Sequence, residues 1–243
     1  MSAEGQVSAD ERARMVEWQL RRRGIEDERV LAAMGRVPRE LFVPPHLRDG
    51  AYADAALPIG GDQTISQPYM VALICEQLAL RGGAGSAVGE ADDARLEDRA
   101  PRAPGERVLD VGTGSGYQAA VLAELAGEVH TIERIPELAE SAGANLAAAG
   151  YADRVHLHLG DGTRGLPECA PFAAIAVAAA ALEAPPALYE QLEPRGRLVV
   201  PVGGPDGQWL EVVLRTPEGP AVLRTVPCRF VPLVAEFSAP ADG

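Results

Sequence analysis

Apolar positions follow a helical period in the first third of this chain and a strand-helix alternation in its second half. Residues 8 to 23 place Met15, Val16, Trp18 and Leu20 among charges, which predicts an amphipathic helix with a modest apolar stripe. Asp27 then stands as an N-cap before Val30, Leu31 and Met34, the apolar positions of a second short helix. In "RVPRELFVPP" the prolines at 44 and 45 force an irregular connection. Residues 51 to 65 read as loop with a short strand, running through "LPIGGDQTIS" into a helix whose Val71, Ile74, Cys75 and Leu78 share one face.

Residues 81 to 106, "RGGAGSAVGEADDARLEDRAPRAPGE", bury too little apolar surface to offset the entropy of ordering them, so a mobile insertion is expected there. Beyond it, "RVLDVG", "EVHTIE", "RVHLHL", "FAAIAVA" and "GRLVVPV" alternate with helical patterns near 116–126, 136–149 and 184–192. Near-continuous apolar strands separated by helices predict a parallel sheet covered on both faces. "QWLEVVLR" and "CRFVPLV" should add strands at one edge, with an antiparallel member. The fold class is therefore α/β, a doubly wound, mostly parallel Rossmann-like sheet with N-terminal helices. The expected organisation is a helical region with an active-site loop at 1–80, the insertion at 81–106 and a core at 107–238, one compact domain in all.

With 243 residues and 47% hydrophobic content, the chain is long enough to bury a full core. The longest apolar run, "FAAIAVAAAAL", is well short of the roughly 20 residues that a bilayer crossing needs. The amino terminus, with Glu4, Asp10 and Glu11, lacks a signal pattern, so a cytoplasmic protein that engages no membrane is expected. Cys75, Cys169 and Cys228 lie far apart without metal-like spacing and read as reduced structural thiols. A formal charge of -13 opposes binding to phosphate backbones, so no nucleic-acid partner is expected. The one basic cluster, Arg21-Arg22-Arg23 before Gly24, suits a helix C-terminus.

"VLDVGTGSGYQAAVLAEL" is a strand, a glycine turn and a helix, the order that lets backbone N–H groups approach a ligand. The dinucleotide fingerprint would need Gly or Ala where Tyr117 stands, which disfavours nicotinamide and flavin cofactors. Glu133 ends the second strand, where a carboxylate can accept from ribose hydroxyls, and Asp161 follows the third, where it could accept from an adenine amino group. Each also has a plainer role, in a tight turn or as a helix cap. All three in register suit S-adenosylmethionine, and residues 107–202 resemble class I methyltransferases. The stretch "AVAAAALEAP" lacks the tetrapeptide of base-modifying amino methyltransferases, and no Asp/Asn cluster suits the magnesium of catechol-type enzymes. No metal is expected.

Ser66 in "QTISQPYM" reads, by itself, as a helix cap. In order, "RVPRELFVP", "LPIG", "QTISQPYM", "VLDVGTGSGYQ", "GDG", "LVVPVG" and "RFVPLV" resemble the protein-L-isoaspartate O-methyltransferase family from about residue 12 to 236. That resemblance implies that Ser66 is the active-site residue. It also implies that Thr64, Ile65 and Tyr69 lie over the cofactor, with Gly112, Thr113, Gly114, Ser115, Glu133, Asp161 and Gly162 beneath it. The implied substrate is the α-carboxylate of isoaspartyl sites in damaged proteins and peptides. The implied product is a methyl ester that closes to a succinimide off the enzyme. Such a carboxylate, with a pKa of about 3.5, is already ionised and needs no general base. His130, His156 and His158 lie on predicted strands and read as packed or surface residues.

This chain departs from many members at Ala173, where Asp is common, and at Val234, where some have Thr; a stability cost is expected from the first. A monomer is expected. Two other readings are open: a relative dedicated to one biosynthetic peptide, and a cofactor-binding protein without turnover.

Overall fold

Helix α1 (Ala3–Met15) continues through a π-type turn at Val16–Leu20 and a 3-10 turn at Arg21–Arg23, and stops at Gly24, whose φ of 92° is left-handed. The computed structural model describes residues 3–80 and 105–235. Each arginine of the basic cluster has a carboxylate partner: Arg21 pairs with Glu28, Arg22 with Glu17 and Arg23 with Asp54. Helix α2 (Glu28–Arg36) is capped as its sequence implies, with the Asp27 carboxylate accepting from the Arg29 N–H at 2.8 Å. Two 3-10 turns, Arg39–Phe42 and Pro45–Gly50, carry the proline-rich connection. Strands β1 (Leu57–Gly60) and β2 (Gln63–Ile65) form an antiparallel hairpin that delivers the chain to α3 (Pro68–Gln77).

The core alternates strand and helix: β3 (Arg107–Val111), α4 (Tyr117–Ala123), β4 (Glu128–Glu133), α5 (Pro136–Ala148), β5 (Val155–Leu159), β6 (Phe172–Val177), α6 (Pro186–Glu190), β7 (Leu192–Gly204), β8 (Gly207–Thr216) and β9 (Gly219–Cys228). The sheet order is β5-β4-β3-β6-β7-β8-β9, parallel from β5 to β7 and antiparallel across β8 and β9. All of β6 is buried, as a strand covered on both faces must be. Alternation splits the strand residues between two clusters. Val108, Val129, Ala174 and Val199 join the residues of α2, α3 and α4, while Leu109, Val111, Ile132 and Ile175 join Phe172, Leu188 and Leu198.

One expectation needs correction. "CRFVPLV" is not a strand: the last strand is Gly219–Cys228, and residues 229–235 make only a single bridge, Ala180 with Pro232. The sequence around Pro220 and Pro227 hid a strand at the sheet edge, the position where proline is tolerated because one side of the backbone has no partner. The insertion assigned to 81–106 lies outside the described residues except for its last two. Glu106 is buried, and its carbonyl accepts from the N–H groups of Gly127 and Glu128.

The order of strands sets the position of the site. From β3 the chain steps to β4 and β5 on one side, and then to β6 and β7 on the other. Loops leaving neighbouring strands in opposite directions open a crevice at the carboxyl end of β3 and β6.

Candidate active site

A cleft of about 780 Å³, open mouth included, occupies that crevice. Its floor is the turn after β3. Gly112, Gly114 and Gly116 have φ of 92°, 54° and 89°, a left-handed run that only glycine adopts without strain. The turn is anchored from β4: Glu133 Oε2 accepts from the Gly114 N–H at 2.9 Å, while Oε1 accepts from the N–H groups of Arg134 (2.9 Å) and Ile135 (3.0 Å). A carboxylate offers about four acceptor positions. Three are occupied, which leaves one on Oε2, and Glu133 lines the cleft.

Below the turn is a buried network that the sequence did not reveal. Asp110, fully buried, accepts from Gln118 Nε2 at 2.7 Å and from the Thr131 hydroxyl at 2.9 Å, and Thr131 meets the Thr113 hydroxyl at 2.7 Å. Thr113 and Gln118 both line the cleft, so the network links strand β3 to its floor. Burial pushes the Asp110 carboxyl up to about 6, against the two hydrogen bonds that lower it. Only the "LDVG" context signals this residue, and it gives no hint of the partners.

The roof is the segment 63–66. Gln63, Thr64, Ile65 and Ser66 line the cleft opposite the glycine turn. Ser66 is not the cap of α3: that position is Gln67, which makes no side-chain cap bond, and Pro68 follows at the first helical position. Proline there has no N–H, so α3 offers fewer free donors beside Ser66 than a helix start normally would. The Ser66 carbonyl instead accepts from Arg39 Nη2 at 2.8 Å. Arg39 is fully buried, donates from Nε to the Ala51 carbonyl at 2.7 Å and lies over the Tyr117 ring at 4.8 Å. Its Nη1 has no hydrogen-bond partner, and among the described residues no carboxylate pairs with it. Burial pushes its pKa down. Nothing in "VPRELF" marks Arg39 as buried, since the segment reads only as an irregular connection.

The residues singled out from sequence do not all meet. Thr64, Ile65, Ser66, Gly112, Thr113, Gly114, Ser115, Glu133 and Gly162 line one cleft. Tyr69 and Asp161 do not line it. The Tyr69 ring lies under the Arg23 guanidinium at 3.8 Å. The Asp161 carboxylate caps the short turn Gly162–Arg164, accepting from the Thr163 N–H at 2.9 Å and its hydroxyl at 2.7 Å. Gly162 packs so closely that a Cβ there would come within 2.6 Å of Val111 Cγ1. The final wall is the segment Val231 to Val234, held by Ala180, whose N–H donates to the Val231 carbonyl and whose carbonyl accepts from the Leu233 N–H, both at 2.7 Å.

A glycine turn tied to a strand-end carboxylate, roofed by "TIS", is what the family model for protein-L-isoaspartate(D-aspartate) O-methyltransferase also matches, over residues 11–88 and 98–238. The chain belongs to this family. Within the isoaspartate O-methyltransferase family, the protein-L-isoaspartate O-methyltransferase 2 of Anaeromyxobacter sp. is 51% identical, over 96% of this chain and 86% of that one. The protein-L-isoaspartate O-methyltransferase of Hyperthermus butylicus is 48% identical, over 93% and 89%. A solved structure of a protein from Plasmodium falciparum, described as a member of the same family and holding S-adenosyl-L-homocysteine, superposes with a TM-score of 0.73 at 25% identity, over 92% of this chain and 98% of that one. Another solved protein-L-isoaspartate O-methyltransferase gives 0.73 at 26%, over 91% of this chain but 65% of that one. The family match leaves only residues 89–97 unmatched between its two stretches, a shorter interruption than 81–106.

Proposed function

We propose that this chain transfers a methyl group from S-adenosylmethionine to the α-carboxylate of isoaspartyl residues in proteins and peptides. The observation that carries this is the meeting of Ser66 and the Glu133-anchored glycine turn across one cleft. The cleft fits the cofactor chemically. The backbone of a left-handed glycine turn lets a ligand approach closely, and Glu133 keeps an acceptor position for a ribose hydroxyl while one bond holds Gly114 of the turn and two hold the chain just after β4. Thr64, Ile65, Gly112, Thr113, Gly114, Ser115 and Gly162 would surround it. When bound, S-adenosylmethionine supplies an electrophilic methyl group on a sulfonium.

The protein's part is to hold an anion in line. The substrate carboxylate, with a pKa of about 3.5, arrives ionised, so no residue has to remove a proton. The Ser66 hydroxyl supplies a donor at the roof of the cleft. Behind it, Arg39 places a full positive charge in a region with little water to screen it, and no carboxylate among the described residues cancels it. Its field favours an anion at Ser66. With the methyl group supplied by the cofactor, what these residues would contribute to catalysis is chiefly positioning. Asp161 caps the turn that carries the cleft residue Gly162, and Tyr69 packs against Arg23 beside the roof segment.

The region up to residue 80, which carries Ser66, and the core from 107 act as one unit. Supporting this, residues from α1 through β8 share one apolar cluster. The net charge of -13 disfavours nucleic acid as a partner, and among the described residues no helix is long and apolar enough to cross a membrane.

The deciding experiment offers radiolabelled S-adenosylmethionine with an isoaspartyl peptide and its aspartyl twin. Label should enter only the former, as a base-labile ester. Equal labelling of both, or of neither, would overturn the reading.

A further inference from the structure

On the face of the sheet that carries Leu109, Ile175 and Phe172, three potential ligands, none of them lining the cleft, converge from distant parts of the chain. His130 lies in β4, His158 in the neighbouring β5 and Cys169 in the 3-10 turn Pro167–Cys169. One ligand atom from each lies within 4.8 Å of the others, and His130 Nδ1 and His158 Nε2 are 3.0 Å apart. A tetrahedral zinc ion bound by two imidazoles and a thiolate spaces its ligand atoms about 3.3–3.6 Å apart. The His130–His158 separation lies just below that range, and no separation in the cluster exceeds 4.8 Å, so small side-chain rotations bring the three atoms to it.

The second observation is independent of the spacing. His130 Nε2 lies 2.9 Å from Glu128 Oε1. An ionised carboxylate only accepts, so this nitrogen carries the His130 proton, and Nδ1, facing His158, presents a lone pair. Metal-binding histidines are oriented in this manner, with the other ring nitrogen donating to a carboxylate. Glu128 is itself held by Arg107, whose Nε donates to Oε2 at 2.9 Å and whose Nη1 donates to the Cys169 carbonyl at 2.9 Å. That bond ties the Cys169 turn to the carboxylate that orients His130. His130 is 7% exposed, with the buried Phe172 edge-on at 6.0 Å, so that side of the cluster is dry, while the exposed His156 stacks on His130 at 4.9 Å and Cys169 is reachable from solvent.

We propose that His130, His158 and Cys169 form a three-ligand site for a divalent transition metal of the zinc type. Cys169 gives up its thiol proton on binding, the His158 proton moves from Nε2 to Nδ1, and a water completes the tetrahedron. The site is structural in its reach: it joins β4 and β5 to the connection that holds Asp161 and Gly162, and none of its ligands lines the cleft.

The test uses the full chain without an affinity tag, under a non-thiol reductant. Cobalt(II) should bind at one equivalent with thiolate-to-metal charge transfer and four-coordinate visible bands, and zinc(II) should bleach both. The charge transfer is lost in Cys169→Ser and retained in Cys228→Ser. Glu128→Ala keeps the band but weakens binding about 10- to 100-fold. Zinc also raises the melting temperature of the wild type and not of Cys169→Ser. Should that variant fail to fold, alkylation of the wild type provides the check: zinc slows modification of Cys169 and leaves Cys228 unchanged. A cobalt complex without charge transfer, a band that survives Cys169→Ser, or equal alkylation with and without zinc would overturn the site.

Discussion

Arg39 Nη2 donates to the carbonyl of Ser66 at 2.8 Å, so a fully buried cation holds the backbone of the residue that forms the roof of the cleft. The two residues are 27 positions apart, and the same guanidinium fixes the Ala51 carbonyl at 2.7 Å. A planar fork reaches both carbonyls at once, which an ammonium cannot do in this geometry. Arg39→Lys should therefore lower kcat/KM for an isoaspartyl peptide about tenfold or more, equivalent to about 1.4 kcal/mol, with cofactor affinity little changed. Steady-state kinetics beside calorimetry with S-adenosylhomocysteine checks this. Equal losses in both would place Arg39 in general stability instead.

Ser66→Ala separates the hydroxyl from the backbone contact, because Arg39 holds the carbonyl and that bond survives the substitution. A hydrogen bond to a charged group is worth about 1.5–3 kcal/mol. The expected loss in kcat/KM is thus roughly 10- to 150-fold, with S-adenosylhomocysteine affinity within about twofold of the wild type. A variant of undiminished turnover would show that the hydroxyl takes no part.

Glu133→Ala removes the acceptor for three backbone N–H groups at once. The glycine turn loses its Gly114 tether and keeps only the bonds of Gly112 and Thr113 to the Ile132 carbonyl of β4, and a ribose hydroxyl loses its partner. Cofactor affinity should fall at least about tenfold, while turnover at saturating cofactor falls less. The reverse pattern, intact affinity with lost turnover, would mean that the carboxylate serves the peptide.

Asp110 should impose a pH dependence on stability. Its carboxyl titrates at about 6 in the folded chain, above its ordinary value of 3.8, because burial penalises the charge more than Gln118 and Thr131 offset it. Below the ordinary value both states are protonated and nothing is lost. As pH rises towards 6 the unfolded chain ionises first, so stability falls across this window and stays lower above it, by up to about 3 kcal/mol. Asp110→Asn keeps an acceptor for Gln118 and turns the Thr131 contact round, with the amide donating to the hydroxyl. Urea denaturation at pH 4.5 and 7 should show a smaller difference for the variant than for the wild type, and greater stability of the variant at pH 7. An unchanged difference would move the origin of the dependence elsewhere.

Local pattern and short motifs by themselves determine much of this protein. Apolar runs of strand length alternating with helices specify a sheet covered on both faces, because only burial tolerates such runs. A glycine turn between strand and helix, an acid at the next strand end, and "TIS" before Pro68 identify the family, and these residues need no distant partner to be recognised. What the tertiary structure decided is every relationship that depends on which surfaces pack. It placed Arg39 under Ser66, the Asp110 network beneath the cleft floor, and Tyr69 against Arg23 rather than in the cleft. It turned "RFVPLV" from an expected strand into a wall of the site, and brought Cys169 within reach of two histidines whose spacing in the chain signals nothing. The reason is physical. Periodicity reports which face of an element is apolar, whereas the partner of a buried polar group is set by how those faces stack, a long-range choice that no single segment carries.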